Sequence, residues 1–299
     1  MTKMFVGHEQ MNEIAILPPW IVLDPLLQGW LLEDIGRGDR ATQALFGSGL
    51  TMGQGRWVAK ERGIVAGLRI AERVFQLLNA ESCFISGVAE GDCCDSGEEI
   101  ARIDAPIDVL LMGERVALNL AMRLSGIATA TRQYTEQIAD LSAQLVDTRK
   151  TTPGLRLLEK YASRVGGAIN HRLGLDDAVM IKDNHIQAVG DLGSAIARVR
   201  SRVPYPLKIE VETTTLEEVR AALEGGADII MLDNMPIARM FQAVPLIRAA
   251  NPAVKIEASG NITLDTIRAV GETGVDYISS SAPITRSTWL DLSMQFARS

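Results

Sequence analysis

Cysteine, histidine and aromatic side chains are all scarce in this chain, and each scarcity excludes a class of function. There are three cysteines, Cys83, Cys93 and Cys94. Two of them are adjacent, and neighbours in sequence rarely pair, so no disulfide framework is expected and the thiols read as reduced and structural. The three histidines, His8, His171 and His185, form no zinc-ligand spacing with the cysteines. No apolar run approaches the ~18 residues of a membrane span. The N-terminal MTKMFVGHEQMNE carries acids where a signal peptide has its apolar segment, so the expected location is cytoplasmic, with no membrane partner. Positive charge is in deficit too. The formal net charge is −7, which argues against broad nucleic-acid binding.

What is present suits a globular protein. With 299 residues, 47% of them apolar and 22% charged, the chain can bury a core in one large or two moderate domains. Residues 1–17 show no periodicity. Asp24 can then cap a helix with Pro25 at its first position, and Leu26, Leu27, Trp30, Leu31 and Ile35 recur on one face. The stretch Gly36-Arg37-Gly38-Asp39-Arg40-Ala41 formally fits the dinucleotide fingerprint, but it follows a helical pattern rather than a strand and no βαβ unit surrounds it. Residues 55–67 read as two strands around Arg62-Gly63, followed by a helix over 68–78. Short strands near 84–85 and 100–103, separated by the turn-rich GVAEGDCCDSGEE, complete a sheet that needs a covering helix layer. The N-terminal part therefore reads as a small α/β sandwich. Residues 106–141 carry a long helical pattern through Val109, Leu110, Val116, Leu120, Leu124 and Ile127, broken near Gly126. On that pattern Arg115 and Arg123 read as solvent-facing charges.

From Leu145 onward, strand and helix patterns alternate. Apolar runs end at Asp147, near Asn170, at Lys182-Asp183, at Glu210-Val211-Glu212, at Asp233-Asn234, at Ser259-Gly260 and at Ser279-Ser280-Ser281. Between the later ones lie helical patterns over 216–223, 237–250 and 264–271. Such alternation implies a parallel sheet, and six or seven units imply a barrel whose functional residues gather at the carboxyl ends of its strands. Glu210 and Glu212 have the period-two spacing that points both side chains to one face, so inside a barrel both need partners.

The stretch 147–186 is locally cationic: seven Lys/Arg stand against five Asp/Glu in a chain that is otherwise acidic. Clustered like charges repel unless something negative lies between them, as a small multiply anionic ligand does. Arg149 and Lys150, His171 and Arg172, and Lys182 each follow a short strand-like run, so their side chains converge on one mouth. They supply donors for carboxylate and phosphate, arginine in bidentate geometry. Glu212 and Asp233, on later strands, are acceptor-only and suit a divalent metal, ribose hydroxyls or a developing cation. Gly260 and the 279–281 serines fall on the last two strands, where barrels often hold phosphate through backbone N–H groups.

DTRKTTPGLR, GGAINHRLGL and MIKDNH, together with GERVALN and RLSGIAT upstream, resemble the motifs of the quinolinate phosphoribosyltransferase family over roughly residues 20–299. The resemblance implies a sandwich domain over 1–125, joined by the segment 286–299, and an open parallel α/β barrel of the type II phosphoribosyltransferase kind over 126–285. It implies transfer of phosphoribose from phosphoribosyl pyrophosphate, with Mg2+ and no organic cofactor, to quinolinate, giving nicotinate mononucleotide, pyrophosphate and carbon dioxide in NAD biosynthesis. Carried over residue by residue, it marks Arg149, Lys150, His171, Arg172, Lys182, Glu212, Asp233, Ser259, Gly260 and Ser281 as substrate contacts. Among these, Lys150, Glu212 and Asp233 are catalytic, and Glu212 and Asp233 are candidate metal ligands. The resemblance separates Arg115 from Arg123: Arg115 matches a residue that a neighbouring subunit contributes, which implies a homodimer or an assembly of dimers. One departure falls in the last loop, where Ser281-Ala-Pro-Ile-Thr-Arg-Ser stands in place of the family's usual GALTHS.

Rival readings are a molybdenum-transport-associated relative of the same fold, a Schiff-base aldolase using Lys182 or Lys150, and a barrel that only binds an anionic metabolite. The full cationic set opposes the first, and the Glu212/Asp233 pair would repel the ligand of a simple anion binder. The paired acids and Thr/Gly loop of the other phosphoribosyltransferase class are not evident.

Overall fold

The computed structural model describes residues 15–46 and 51–296, so His8 and most of the aperiodic stretch 1–17 lie outside the described residues. The chain divides into two compact units. One holds the described residues up to Ala130 with Leu157–Gly166 and those from Ser287 onward; the other holds Thr131–Arg156 and Gly167–Arg286. Compared with the boundary expected at 125/126, the division falls slightly later, and 157–166 groups with the first unit.

In the first unit, helix α1 spans Trp20–Ile35. It begins after Pro18-Pro19, whose ring-closed nitrogens cannot continue a helix backwards, and the Pro19 carbonyl accepts from Val22 and Leu23. Pro25 therefore lies inside the helix rather than at its first position, leaving the Ile21 carbonyl without its helical donor on an exposed face. Nor is Asp24 a cap: its carboxylate receives two bonds from Arg73, at 2.8 and 2.6 Å. The buried stripe is Leu23, Leu27 and Leu31, one residue per turn. Gly36 and Gly38 have positive φ, and Asp39 accepts from the Ala41 N–H to start α2 (Arg40–Phe46), so this stretch is a helix-to-helix turn.

There follow β1 (Met52–Ala59), β2 (Gly63–Ile64), α3 (Leu68–Leu78), β3 (Cys83–Ser86), β4 (Cys93–Cys94) and β5 (Glu99–Pro106). An antiparallel sheet runs from the C-terminal strand Leu292–Phe296 through β1 and β5 to β3, while β2 pairs with β4 inside the stretch expected to be turns. Helix α3 buries Ile70, Val74 and Phe75, and Phe84 stands edge-on to Trp57 and stacks on Phe75. The thiols are free, but only Cys94 is buried; exposed Cys83 and Cys93 are not structural core residues.

Helix α4 runs unbroken over Ile107–Glu136, contrary to the break expected at Gly126. Gly126 serves a neighbour instead. The Leu290 N–H bonds to the Met122 carbonyl, and a Cβ on Gly126 would lie 3.0 Å from the Thr288 carbonyl carbon and 3.1 Å from the Trp289 Cα. Arg123 is structural: it donates to Glu159 at 2.7 and 3.1 Å and to the Ser287 hydroxyl at 2.9 Å.

In the second unit, β6 (Gln144–Val146) is followed by α5 (Arg156–Val165), most of which belongs to the first unit. Then come β7 (Val179–Ile181), α6 (Asp183–Val189), α7 (Leu192–Arg200), β8 (Ile209–Thr213), α8 (Leu216–Glu224), β9 (Ile229–Asp233), α9 (Ile237–Ala250), β10 (Lys255–Ser259), α10 (Leu264–Gly271) and β11 (Tyr277–Ser279). Helix starts are set locally, as where Thr215 and Glu218 cap α8 reciprocally. The sheet is parallel in the order β6-β11-β10-β9-β8-β7, and a single bridge adds Ile169 beyond β6. Among the described residues Ile169 and β7 do not pair, so the sheet has two free ends. It nevertheless curls on itself, because His171, just past Ile169 at one end, reaches β8 and β10.

Alternation along the strands separates two environments. Ile209, Val211, Ile230, Leu232, Ile256, Ala258 and Ile278 are completely buried in the apolar cluster that includes the helix residues Val219, Ala222, Ala243, Ile247 and Ile267. Each such aliphatic side chain contributes about 1.5–3 kcal/mol of burial. The alternate positions, Glu210, Glu212, Asp233, Glu257, Ser259 and Ser279, are polar and face the other way.

Candidate active site

Register places these polar residues in rows. Asp233 pairs with Ser259, and Ser259 with Ser279, across β9, β10 and β11 at the carboxyl end; Glu257 lies two residues deeper on β10. The loops after β6, Ile169 and β7 bring in the cations.

Arg149 and Lys150 follow β6. The Arg149 Nε is buried with no acceptor, a cost a native fold tolerates where a ligand supplies the missing partner. Arg172 donates to the Ala178 carbonyl at 2.8 Å, and burial together with the Arg149 charge pushes its guanidinium down from the ordinary arginine value. Two guanidinium groups thus face one region. Lys150 is exposed, and Lys182 at the end of β7 pairs with Glu212. An ammonium has three donors, so Lys182 can hold Glu212 and an anion together.

His171 is tied into the strands. Its backbone N–H bonds to the buried Asp147 carboxylate at 2.8 Å, and its Nδ1 accepts the Arg172 N–H at 2.8 Å. Its Nε2 points to the barrel floor, 3.2 Å from Glu210 and 3.5 Å from Glu257. Burial, then the neighbouring Glu210 charge, pushes the Glu257 carboxyl up to about 7, with His171 acting in the opposite direction. The trio has the composition of a metal site. The tautomer argues otherwise: an Nδ1 that accepts leaves the proton on Nε2, which then donates to the carboxylates and has no lone pair for a metal.

At the mouth, Asp233 accepts from the Asn234 side-chain amide at 3.0 Å, and Asn234 in turn accepts from that of Asn261 at 3.1 Å. Gly260, with φ of 101°, packs so closely that a Cβ there would meet the Asn234 backbone nitrogen at 2.8 Å. Ser281 begins a one-turn helix, Ala282–Thr285, and its carbonyl accepts from Ile284 and Thr285.

The barrel therefore gathers Arg149, Lys150, His171, Arg172, Lys182, Glu212, Asp233, Ser259, Gly260 and Ser281 in one unit. Arg115 is in the first unit, exposed on α4 and 3.7 Å from Glu114. Sequence reasoning missed Glu257, although a lone carboxylate inside the apolar run Ile256–Ala258 repeats the signal that Glu210 gives. It also missed Asn234 and Asn261, whose signal is an asparagine directly after a strand-end motif.

Comparison with known proteins bears on what this arrangement does. Residues 39–125 match the N-terminal domain and residues 127–295 the C-terminal domain of quinolinate phosphoribosyl transferase. A probable nicotinate-nucleotide pyrophosphorylase (carboxylating) of Synechocystis is 61% identical over 286 residues, covering 95% of this chain and 96% of the relative. The human nicotinate-nucleotide pyrophosphorylase (carboxylating) is 36% identical over 284 residues, 94% of each chain. The crystal structure of NadC from Streptococcus pyogenes superposes with a TM-score of 0.89 at 41% identity, over 94% of this chain and 98% of that one.

Proposed function

Since the chain belongs to the quinolinate phosphoribosyltransferase family, we propose that it carries out the family's reaction in NAD biosynthesis: phosphoribosyl pyrophosphate and quinolinate give nicotinate mononucleotide, pyrophosphate and carbon dioxide. The observation that carries this reading is the pair Arg149 and Arg172 converging with a buried guanidinium nitrogen left unbonded, a constellation that a planar dicarboxylate completes.

In this reading Arg149, Arg172 and Lys182 hold the two carboxylates so that the ring nitrogen faces the anomeric carbon, and proximity is the main rate effect. Each charge-assisted contact contributes roughly 1.5–3 kcal/mol. As the carbon–nitrogen bond forms and the bond to pyrophosphate breaks, Glu212 and Asp233 stabilise the positive charge on the sugar. Lys150 meets the departing phosphates, and the loops at Ser259-Gly260 and Ser281 hold the 5′-phosphate. The pyridinium nitrogen then withdraws electrons from the adjacent ring carbon. The bond to its carboxylate breaks, carbon dioxide leaves, and the carbon takes up a proton. Glu212 gives one oxygen to Lys182 and Asp233 one to Asn234; their remaining oxygens serve the sugar donor, and these are the residues that would hold Mg2+ with it. When bound, that ion supplies charge neutralisation for pyrophosphate. The reading extends to a cytoplasmic homodimer in which Arg115 serves the partner's site.

An assay of pyrophosphate release from the sugar donor tests it. Quinolinate supports turnover and nicotinate barely does, because the absent carboxylate leaves a cation of the pocket unpaired. Equal rates with the two acids would sink the reading.

A further inference from the structure

Among the described residues only two non-glycine residues have positive φ, Asn234 at 50° and Asn261 at 51°. Each immediately follows a site motif, Asp233 at the end of β9 and Ser259-Gly260 at the end of β10. Asparagine tolerates this conformation better than most side chains, but two adjacent loops adopting it together calls for a reason. The side chains supply one. Asn261 Nδ2 donates to Asn234 Oδ1 at 3.1 Å, and Asn234 Nδ2 donates to Asp233 Oδ2 at 3.0 Å. The Asn234 backbone N–H also bonds to the Ser259 carbonyl at 2.8 Å, so the two loops are tied through backbone and side chain together. Gly260 makes room for the contact, since any Cβ there would occupy the Asn234 amide.

We propose that Asn234 and Asn261 are positioning residues, a two-amide clasp that fixes the rotation of the Asp233 carboxylate. One oxygen is committed to the clasp, which aims the other at the reacting sugar. Neither amide touches substrate; Asn261 acts through Asn234, and Asn234 through Asp233. The inference rests on the assignment of Asp233 to the sugar donor made above.

Glycine is the informative replacement because it adopts positive φ without strain, so Asn234→Gly and Asn261→Gly delete the clasp and keep the turns. With thermal midpoints checked against wild type, Asn234→Gly lowers kcat roughly tenfold, in keeping with loss of alignment, while the quinolinate KM stays put because Arg149 and Arg172 are untouched. Asn261→Gly causes a smaller loss, and the double variant is no slower than Asn234→Gly alone. Losses that multiply in the double variant would overturn the relay, as would an unchanged kcat in Asn234→Gly or a shift confined to the quinolinate KM. Wild-type protein that releases no pyrophosphate with quinolinate would remove the parent reading, and this one with it.

Discussion

A carboxyl group buried beside another carboxylate stays protonated until the solution is far less acidic than usual, and Glu257 is held that way, at about 7 against an ordinary 4.5. The groups facing it are Glu210, Glu212, His171 and Ser279. Between those two values the folded protein binds a proton that the unfolded chain has released. Stability therefore falls as pH rises from about 4.5 to about 7, by on the order of 3 kcal/mol for this group. Urea unfolding across that range shows the slope, and Glu257→Gln, permanently neutral, flattens it; a slope unchanged by Glu257→Gln would place the titration elsewhere. At this scale the site was partly legible in the sequence. Arg149, Arg172 and Lys182 stand out because a cation after an apolar run has no packing reason to be there. Glu257 and the direction of His171 do not, because they acquire meaning only when the sheet curls and brings its end against β8 and β10.

Helix α4 shows how an element answers to its neighbours. In isolation Gly126→Ala would favour the helix by about 1 kcal/mol. Here the added methyl meets the Thr288–Trp289 backbone, which cannot rotate away as a side chain would, and overpacking of this kind costs about 1–3 kcal/mol or more. The clash wins. We expect Gly126→Ala to lower the thermal midpoint, read by calorimetry, and an increase would show that the C-terminal segment yields. The contrast explains which elements the sequence discloses. Helices α3, α9 and α10 have the predicted bounds because the apolar period and the residues at each start, Gly67, Pro236 and Thr263, are local to each segment. Gly126 reads as a break and Asp24 as a cap because the groups that decide them, Thr288 and Arg73, are distant in the chain.

On the scale of the whole molecule, the homodimer proposed above has Arg115 completing a site in a second copy of the chain. A two-fold dimer makes such sharing reciprocal. Arg115→Ala and Lys182→Ala should each be nearly inactive as pure homodimers. In a mixed dimer one site collects both lesions and the other neither. Random reassortment of equal amounts makes about half the dimers mixed, so roughly a quarter of wild-type activity returns after co-refolding, with mass spectrometry confirming the mixture. Confirmed mixing without recovery would place Arg115 in its own chain's site or in none. The parallel sheet itself was legible, because strand and helix patterns alternate in phase from Leu145 onward. The assignment of 157–166 to the first unit was not, since it depends on the buried Glu159 finding Arg123.

The alternation in β8 to β11, mostly aliphatic toward the helices and mostly polar toward the mouth, also governs how the gene for this protein can change length. Inserting one codon within β8 would turn Glu210 and Glu212 under the helices and send Val211 toward the ligand, losing core and chemistry in a single event. A two-codon insertion restores the phase but lifts the acids by a row. Insertions and deletions should therefore accumulate in the turns at the amino ends of these strands, away from the catalytic mouth, while the strands keep a fixed count.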